Sequence, residues 1–484
     1  MGFVGILLAL GFLIALAYRG WSILLLAPIA ALIAAAAARE PLLAHWTQTF
    51  MGGAAKFLAE FFPLFLLGAL FGKLMDDSGS VSAIASLMTD RLGPRRAMLA
   101  VVLAGAIITY GGVSLFVAFF VLAPMAQSLF QAADISRRLM PAAIVLGTST
   151  FTMSAFPGTP AIQNAIPMPF FGTTPFAAPG LGTIASLIML AFGLWWLHRA
   201  ETAARARGER YRAATVDVAD KAAKDDFVRE RAVVAREFDP AEIHRGQHGK
   251  SMPPTVRAIL PLVVVIAVNL LMSLVILPRL DLSYLAEERW GPSSLASVGG
   301  IWAVATALTA AIVTVVALNW SRLPSLRESM DAGANASVLP AIGVASLVGF
   351  GAVVAAMPAF AMVRDLVLSI GGGPLVSLAV AINVLSALTG SASGGMTIAL
   401  DALGETYLRL ASEANIDPAL LHRVATISAG TLDSLPHNGA VVSLLAVCGL
   451  THRDSYRDIV MVGIVGALLA LLAVILLGSQ FGSF

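Results

Sequence analysis

Residues 147–160 read GTSTFTMSAFPGTP, and residues 428–439 read SAGTLDSLPHNG. Both stretches are rich in hydroxyl side chains and carry Pro and Gly, yet both lie inside long apolar runs. An uninterrupted helix does not tolerate Pro157, Gly158 and Pro160 so close together. The two stretches therefore predict helices that break in the middle. Unwound backbone at membrane depth is found only where it is buried in protein or lines a water-filled cavity.

The composition places most of the chain in lipid. Of its 484 residues, 58% are hydrophobic and 12% are charged, whereas soluble domains carry roughly 25% charge. The net charge of +2 is too small to indicate nucleic acid as a partner. The single cysteine, Cys448, excludes an intrachain disulfide and a cysteine-based metal cluster. The first apolar run, 3–18, lacks a basic segment before it and is predicted to be a retained span.

Repeated apolar runs predict ten spans. They are expected at about 3–18, 21–38, 58–75, 138–171, 180–198, 255–278, 299–319, 338–357, 418–450 and 457–479. Two further apolar stretches, 97–130 and 375–410, are interrupted by Gly111 to Ser114 and by Gly390 to Gly395. Their limbs of about 14 to 16 residues are short of a full crossing, so each stretch is expected to be a re-entrant hairpin.

An internal repeat relates the two halves. Five landmarks recur in the same order at offsets between 279 and 283: Phe71-Gly72 with Phe350-Gly351, Pro94 with Pro374, Gly111 to Ser114 with Gly394 to Thr397, Asp134-Ile135 with Asn415-Ile416, and Pro157 with Pro436. With each hairpin counted as non-crossing, each half has five crossings. An odd number of crossings inverts the second half relative to the first.

The predicted fold is therefore an all-α polytopic membrane protein. It has two inverted repeats, 1–198 and 255–484, each of five spans plus a re-entrant hairpin and a broken helix. A charged linker, 199–254, joins them and is expected to be cytoplasmic, with both termini outside. The short segments then carry eleven Arg and Lys inside and seven outside, the bias expected of membrane proteins, with Arg423 counted outside. Asp76 and Asp77 are expected to be solvated at the membrane interface.

The two breaks and the two hairpin tips are the candidate substrate site. Helix N-termini expose backbone N–H groups that suit an anion, hydroxyls add donors, and glycine permits close approach. The candidate substrate-binding residues are Gly112, Ser114, Ser154, Gly158, Thr159, Ser393, Gly395, Thr397, Ser434, His437 and Asn438. No Arg or Lys lies in either break. Against this reading, Ser and Thr in membrane helices often bond only the preceding turn.

Asp433 and His437 are candidates for proton coupling. An ionisable side chain inside a membrane span is costly and is by default a functional hypothesis. Histidine exchanges its proton near physiological pH, and a neighbouring acid tunes it. The competing reading is a buried structural pair.

Four motifs carry a family resemblance. They are KLMDDSG at 73–79, SAFPGTPAI at 154–162, DSLPHNGA at 433–440 and CGLTHR at 448–453. The repeated order of arm, hairpin and broken helix resembles the ion transporter superfamily, and the motifs most resemble the gluconate permease (GntP) family, especially members linked to 3-hydroxybutyrate. The resemblance covers both membrane halves and not the linker. It implies proton symport of small hydroxy-monocarboxylates in the bacterial inner membrane. The chain lacks the Ser-Asn-Thr hairpin tips of the sodium-coupled dicarboxylate branch.

The resulting prediction is a proton-coupled symporter of a small hydroxylated monocarboxylate. Its partners are a small organic anion, the proton and membrane lipid; no cofactor and no metal are expected, and a homodimer is compatible with the sequence. One alternative is a citrate or other di- or tricarboxylate carrier, with or without sodium coupling. A membrane-embedded enzyme is disfavoured because the chain has no H-E-x-x-H, Gly-x-Ser-x-Gly or nucleotide-binding motif. A channel is the third alternative.

Overall fold

The computed structural model describes residues 2–19, 21–211, 239–243, 249, 251–291 and 293–484. Every regular element within these ranges is a helix. Within the described ranges, seven helices are long and apolar enough to cross a bilayer, fewer than the ten predicted spans, and Ser80–Leu92 with Pro94–Tyr110 forms an eighth candidate bent by 100°. One of the seven, Leu115–Ala132, is a limb of a predicted re-entrant hairpin and has 18 residues rather than the expected 14 to 16. The chain is an all-α polytopic membrane protein.

The helices of the two halves have the following bounds. The first half contains α1 (Gly2–Tyr18), α2 (Ile23–Ala38), α3 (Leu42–Asp77), α4 (Ser80–Leu92), α5 (Ala97–Tyr110), α6 (Leu115–Ala132), α7 (Met140–Thr148), α8 (Phe151–Ser154), α9 (Ile162–Ala165), α10 (Pro167–Phe171) and α11 (Pro179–Ala206). The second half contains α12 (Thr255–Arg279), α13 (Leu295–Arg322), α14 (Leu326–Ala356), α15 (Phe360–Leu368), α16 (Gly373–Thr389), α17 (Ala392–Glu413), α18 (Pro418–Thr431), α19 (Gly439–Cys448) and α20 (His452–Phe481).

Both predicted helix breaks are confirmed. In the first half the helix ends at Ser154 and resumes at Ile162. In the second half it ends at Thr431, passes through a 3₁₀ turn to Ser434 and resumes at Gly439. We call residues 155–161 break 1 and residues 432–438 break 2. The chain is also interrupted inside both predicted hairpins, at 111–114 and at 390–391; we call these tip 1 and tip 2.

The third span is longer than predicted. It begins at Leu42 rather than near residue 58. The prediction was too short because the polar stretch HWTQTF at 45–50 lowers the hydropathy, although it does not stop the helix. Tertiary packing supports this extension. A methyl group on Gly53 would lie 2.7 Å from Ala352 Cβ, and one on Gly349 would lie 2.7 Å from the Phe50 carbonyl oxygen. Glycines at these crossings let α3 and α14, one helix from each half, pack backbone against backbone.

Two helix ends support the internal repeat. Asp134 and Asn415 end α6 and α17 in the left-handed conformation, with φ of 50° and 52°. The next residue in each case, Ile135 or Ile416, donates its amide back into the last turn, to Phe130 or Ala411. These are matching C-terminal caps at an offset of 281 residues. The inversion of the second half stays a prediction.

Asp76 and Asp77 are buried, so the expectation that they are solvated is wrong. Lys73 Nζ donates to Asp77 Oδ1 at 2.9 Å, and neither side chain is exposed. The linker covers them: Lys73 also donates to the Ile243 carbonyl at 2.9 Å, and the Gly249 amide donates to the Asp77 carbonyl at 2.8 Å. The other linker residues, 212–238, 244–248 and 250, lie outside the described ranges.

The start of the linker joins both halves near the end of α11. Arg138 Nε donates to Glu209 at 2.9 Å and Arg138 Nη1 pairs with Asp458 of α20. Trp196 Nε1 donates to the other Asp458 oxygen at 3.1 Å. The hydrogen bond from Arg138 lowers the pKa of the Glu209 carboxyl. A charged cluster therefore closes this end of the membrane bundle.

The charge bias and the crossing count predict that the linker and the C-terminus lie on opposite sides of the membrane. In a Cys448→Ala background, Ala206→Cys and a cysteine appended after Phe484 should react with an impermeant maleimide from opposite faces. Intact cells and inside-out vesicles give the two measurements. Labelling of both cysteines from one face would overturn the inverted arrangement.

Candidate functional site

Break 1 is held by side chains from other elements. Tyr110 donates its hydroxyl to the Pro157 carbonyl at 2.9 Å, and Asn269 of α12 donates to the Gly158 carbonyl at 3.0 Å. Asn164 donates to the Thr159 carbonyl at 3.0 Å. Gly158 has a φ of 83°, which favours glycine. The carbonyls that the break exposes are therefore satisfied inside the protein.

Break 2 is fastened to tip 2. Asn438 Nδ2 donates to the Gly390 carbonyl at 2.8 Å and to Asp433 Oδ1 at 2.6 Å. The same Asp433 oxygen accepts the amide of Ala392, the first residue of α17, at 3.0 Å. Asn438 also caps α19, since its Oδ1 accepts the Ala440 amide at 2.8 Å. Asp433 and Asn438 thus hold the hairpin tip against the break.

His437 lies half-buried beside the same tip. Its Nε2 is 3.0 Å from the Ala387 carbonyl oxygen. A carbonyl oxygen only accepts, so Nε2 carries the proton in this hydrogen bond.

Each tip begins a helix with a serine cap. Ser114 Oγ accepts the amide of Phe116 at 3.3 Å, and Ser391 Oγ accepts the amide of Gly394 at 3.1 Å. The structural counterpart of Ser114 is therefore Ser391. The sequence pairing of Gly111 to Ser114 with Gly394 to Thr397 is wrong by several residues, because Gly394 to Thr397 already lie inside α17.

Tip 1 closes over break 1. A methyl group on Gly112 would lie 2.8 Å from Pro160 Cγ. Between them lies a cavity of about 30 Å³, lined in part by Gly112, Ser114, Met153 and Pro160. This volume holds about one or two water molecules. A cavity of this volume is too small for an organic anion of several carbon atoms.

The two breaks are neighbours through α8 and α18. A methyl group on Gly430, just before break 2, would lie 2.9 Å from Ser154 Cβ and 3.0 Å from its Oγ. Ser154 Oγ itself donates to the Thr150 carbonyl at 3.0 Å. The hairpins cross between halves as well, since α6 packs on α19 and α17 packs on α10. Each hairpin thus contacts the helix that follows the other half's break.

A buried arginine lies beside break 1. Arg423 was counted among the outside charges, and that count is wrong: Arg423 lies in the second turn of α18, which begins at Pro418, and is fully buried. It donates to the Ala177 carbonyl at 2.6 Å and to Asn164 Oδ1 at 3.4 Å. The neighbouring His422 bonds Asn164 at 3.1 Å. Within the described residues Arg423 has no carboxylate partner.

The contacts of four candidate residues lie within their own half of the chain. Ser434 packs against Gly463 of α20, and Gly395 packs against the Ser386 backbone of α16. Thr397 Oγ1 donates one turn back to Ser393, and Thr159 Oγ1 accepts the Ala161 amide. These contacts give packing and local capping roles. The structure instead brings together Asp433, His437 and Asn438 with tip 2, and Gly112 and Ser114 with break 1.

Sequence reasoning missed several residues of the site. They are Tyr110, Asn164, Asn269, His422 and Arg423. A signal was present, because each is a polar side chain inside an apolar run. Among the described residues, no group of three or more His, Cys, Asp or Glu could hold a metal ion.

The sequence is similar to those of known membrane transporters. The model of the GntP family permeases matches residues 2–169. The chain is 40% identical over 466 residues to the uncharacterized transporter YxjC of Bacillus subtilis, covering 95% of each chain. It is 34% identical over 122 residues to the high-affinity gluconate transporter of Escherichia coli, covering 24% of this chain and 27% of that protein. An uncharacterized transporter of Haemophilus influenzae is 31% identical over 105 residues, 22% of this chain and 25% of that one.

The full-length match to a transporter, the family model and the paired broken helices lead to one conclusion: the chain belongs to the GntP permease family of membrane transporters.

Proposed function

We propose that this transporter is a secondary active carrier in the bacterial inner membrane, and that it moves a small hydroxy-monocarboxylate of the gluconate or 3-hydroxybutyrate type together with a proton. The observation that carries the proposal is the pair of breaks: each is fastened at a hairpin tip, and the helices that precede them, α8 and α18, pack together at Ser154 and Gly430. Discontinuous helices in corresponding positions of two halves are the usual binding site of such carriers. In this proposal the chain has no catalytic activity.

The local charges support an anionic substrate. Three helices start at the site: α6 at tip 1, α17 at tip 2 and α19 after break 2. Their N-termini carry partial positive charge. Arg423 adds a full buried charge beside break 1. A carboxylate bound between the breaks would compensate this field, since an unpaired charge in the interior is costly.

The relatives support the substrate class. The matched segment of the Escherichia coli protein belongs to a gluconate transporter. Hydroxyl and amide side chains in or next to the breaks, such as Ser154 and Asn438, can hydrogen-bond the hydroxyl groups of a sugar acid as well as its carboxylate. We extend gluconate-type specificity to this chain on that basis.

Arg423 also favours a second candidate, a di- or tricarboxylate carrier. The sequence argument against such a substrate was the absence of a cation, and the structure places one beside break 1. Competition against labelled gluconate separates the two candidates. We expect uptake of labelled gluconate that 3-hydroxybutyrate inhibits and citrate does not; uptake of labelled citrate without uptake of labelled gluconate would favour the second candidate.

We propose His437 as the residue that couples transport to the proton. Its ring is fixed by the Ala387 carbonyl, so protonation changes the charge at Nδ1 without requiring the ring to turn. Asp433, four residues earlier, accepts hydrogen bonds from the Ala392 amide beside tip 2 and from Asn438 of break 2. A change of charge at His437 would alter these hydrogen bonds. Protonation and tip position are linked by this set of contacts.

Ser154→Ala and Asn438→Ala should each weaken substrate binding about ten- to a hundredfold, because a hydrogen bond to a charged group contributes roughly 1.5–3 kcal/mol. The double variant should be non-additive, since both residues share one ligand. Substrate affinity is measured on purified protein. The matched control is Ser479→Ala, an exposed hydroxyl that bonds the Leu476 carbonyl.

Folding of these variants is checked by thermal stability and gel filtration, because Asn438 also caps α19. Loss of an N-cap costs roughly 1 kcal/mol of stability. If both folded single variants bind substrate like the wild type, the paired-break site is wrong and the breaks serve only as hinges.

His437→Gln should abolish accumulation against a gradient and retain exchange of labelled for unlabelled substrate. Glutamine keeps an N–H donor for Ala387 but does not titrate. Uptake into vesicles with an imposed pH gradient is the measurement, and counterflow in the same vesicles is the internal control. Uptake that requires sodium and ignores a protonophore would refute proton coupling.

A further inference from the structure

A second pocket lies at the end of α11, away from the breaks. Its volume is about 400 Å³, within the range of small-molecule sites. The start of α5, the end of α6 and the last turns of α11 form its walls. The pocket therefore lies at the base of the hairpin that carries tip 1.

The rim of this pocket is basic. Arg95, Arg96 and Arg205 line it, with Glu201 as the carboxylate among its lining residues. Glu201 forms a salt bridge with Arg205, which donates to it at 2.7 Å and also donates to the Ala133 carbonyl at 3.2 Å. Arg95 and Arg96 are exposed, and within the described chain neither forms a salt bridge. The pocket presents a net positive charge to an incoming ligand.

The inner wall of the pocket is apolar. Met98, Leu194 and Leu197 line it below the arginines. A ligand that fits this pocket combines an anionic group at the rim with apolar atoms beneath it. Inorganic phosphate offers only the first of these features.

The pocket lies at the depth of the membrane interface. On α11 the apolar run gives way to Trp195 and Trp196, followed by His198 and Arg199. Trp195 is 55% exposed on the outside of the bundle. Tryptophans are enriched where hydrocarbon meets headgroups. The arginines of the rim are therefore at the level of lipid phosphates.

We propose that this pocket binds the phosphate headgroup of an anionic phospholipid, with Arg95 and Arg96 on the phosphate and the acyl chain along Leu194 and Leu197. Basic pockets between membrane helices on the cytoplasmic side are suited to anionic headgroups. A lipid bound here bridges the base of the first hairpin to α11. It stabilises the hairpin base while leaving tip 1 free to move.

The test is a thermal shift on delipidated protein in mild detergent. Phosphatidylglycerol should raise the unfolding temperature, whereas phosphatidylcholine with the same acyl chains should not. The variant Arg95→Gln/Arg96→Gln should need roughly tenfold or more phosphatidylglycerol for the same shift, because two contacts to the phosphate are lost. Arg327→Gln, an arginine whose side chain is 91% exposed, is the matched control and should respond like the wild type.

Native mass spectrometry of the same proteins gives an independent measurement. After phosphatidylglycerol is added, the bound lipid should be seen on the wild type and on Arg327→Gln, and should be absent from the double variant. An equal shift by inorganic phosphate would show a free-anion site and overturn the lipid assignment. If the double variant retained as much phosphatidylglycerol as the wild type, the proposed site would be wrong.

Discussion

The structure depends on one constraint: a helix that unwinds inside a membrane must have its backbone carbonyls satisfied by the protein, because lipid offers no hydrogen bonds. Break 1 meets this constraint through Tyr110, Asn164 and Asn269. In break 2, His452 Nε2 bonds the Pro436 carbonyl and the Tyr456 hydroxyl donates to the Ser434 carbonyl, while Asn438 donates to the Gly390 carbonyl of tip 2. The polar residues that made the sequence unusual are thus the donors that make the breaks possible.

This constraint also joins the two halves. Asn269 reaches from the second half into break 1, and Asn164 of the first half accepts from His422 and Arg423 of the second. Separating the two halves would leave these buried polar groups unpaired, which is costly. The region around break 1 is therefore assembled from both halves. The cavity under tip 1 is too small for an organic anion of several carbon atoms.

Much of the fold could be predicted from the sequence because its strongest signals are local. Pro157, Gly158 and Pro160 cannot sit in a continuous helix, and apolar runs of span length identify the membrane helices. What could not be predicted depends on tertiary contacts. Asp77 is buried because linker residues cover it, and α3 extends to Leu42 because Gly53 and Gly349 let it pack on α14.

The same division applies to the site. The segments at the breaks and tips were identified correctly, but which side chain faces which neighbour could not be derived from spacing. The counterpart of Ser114 in the second half is Ser391, which could not be derived from spacing because only the structure shows that α17 begins at Ala392. Arg423 was counted with the outside charges although the predicted span 418–450 includes it, and only the structure shows that its side chain is buried. Its burial changes the electrostatics of the site more than any hydroxyl does.

The central claim is that the substrate carboxylate is bound between the two breaks. The most direct measurement is a cryo-EM structure of the transporter with gluconate bound. The account predicts ligand density in contact with residues of both 155–161 and 432–438, with tip 1 displaced from Pro160. Density that touches neither break, with tip 1 still closed on Pro160, would contradict it.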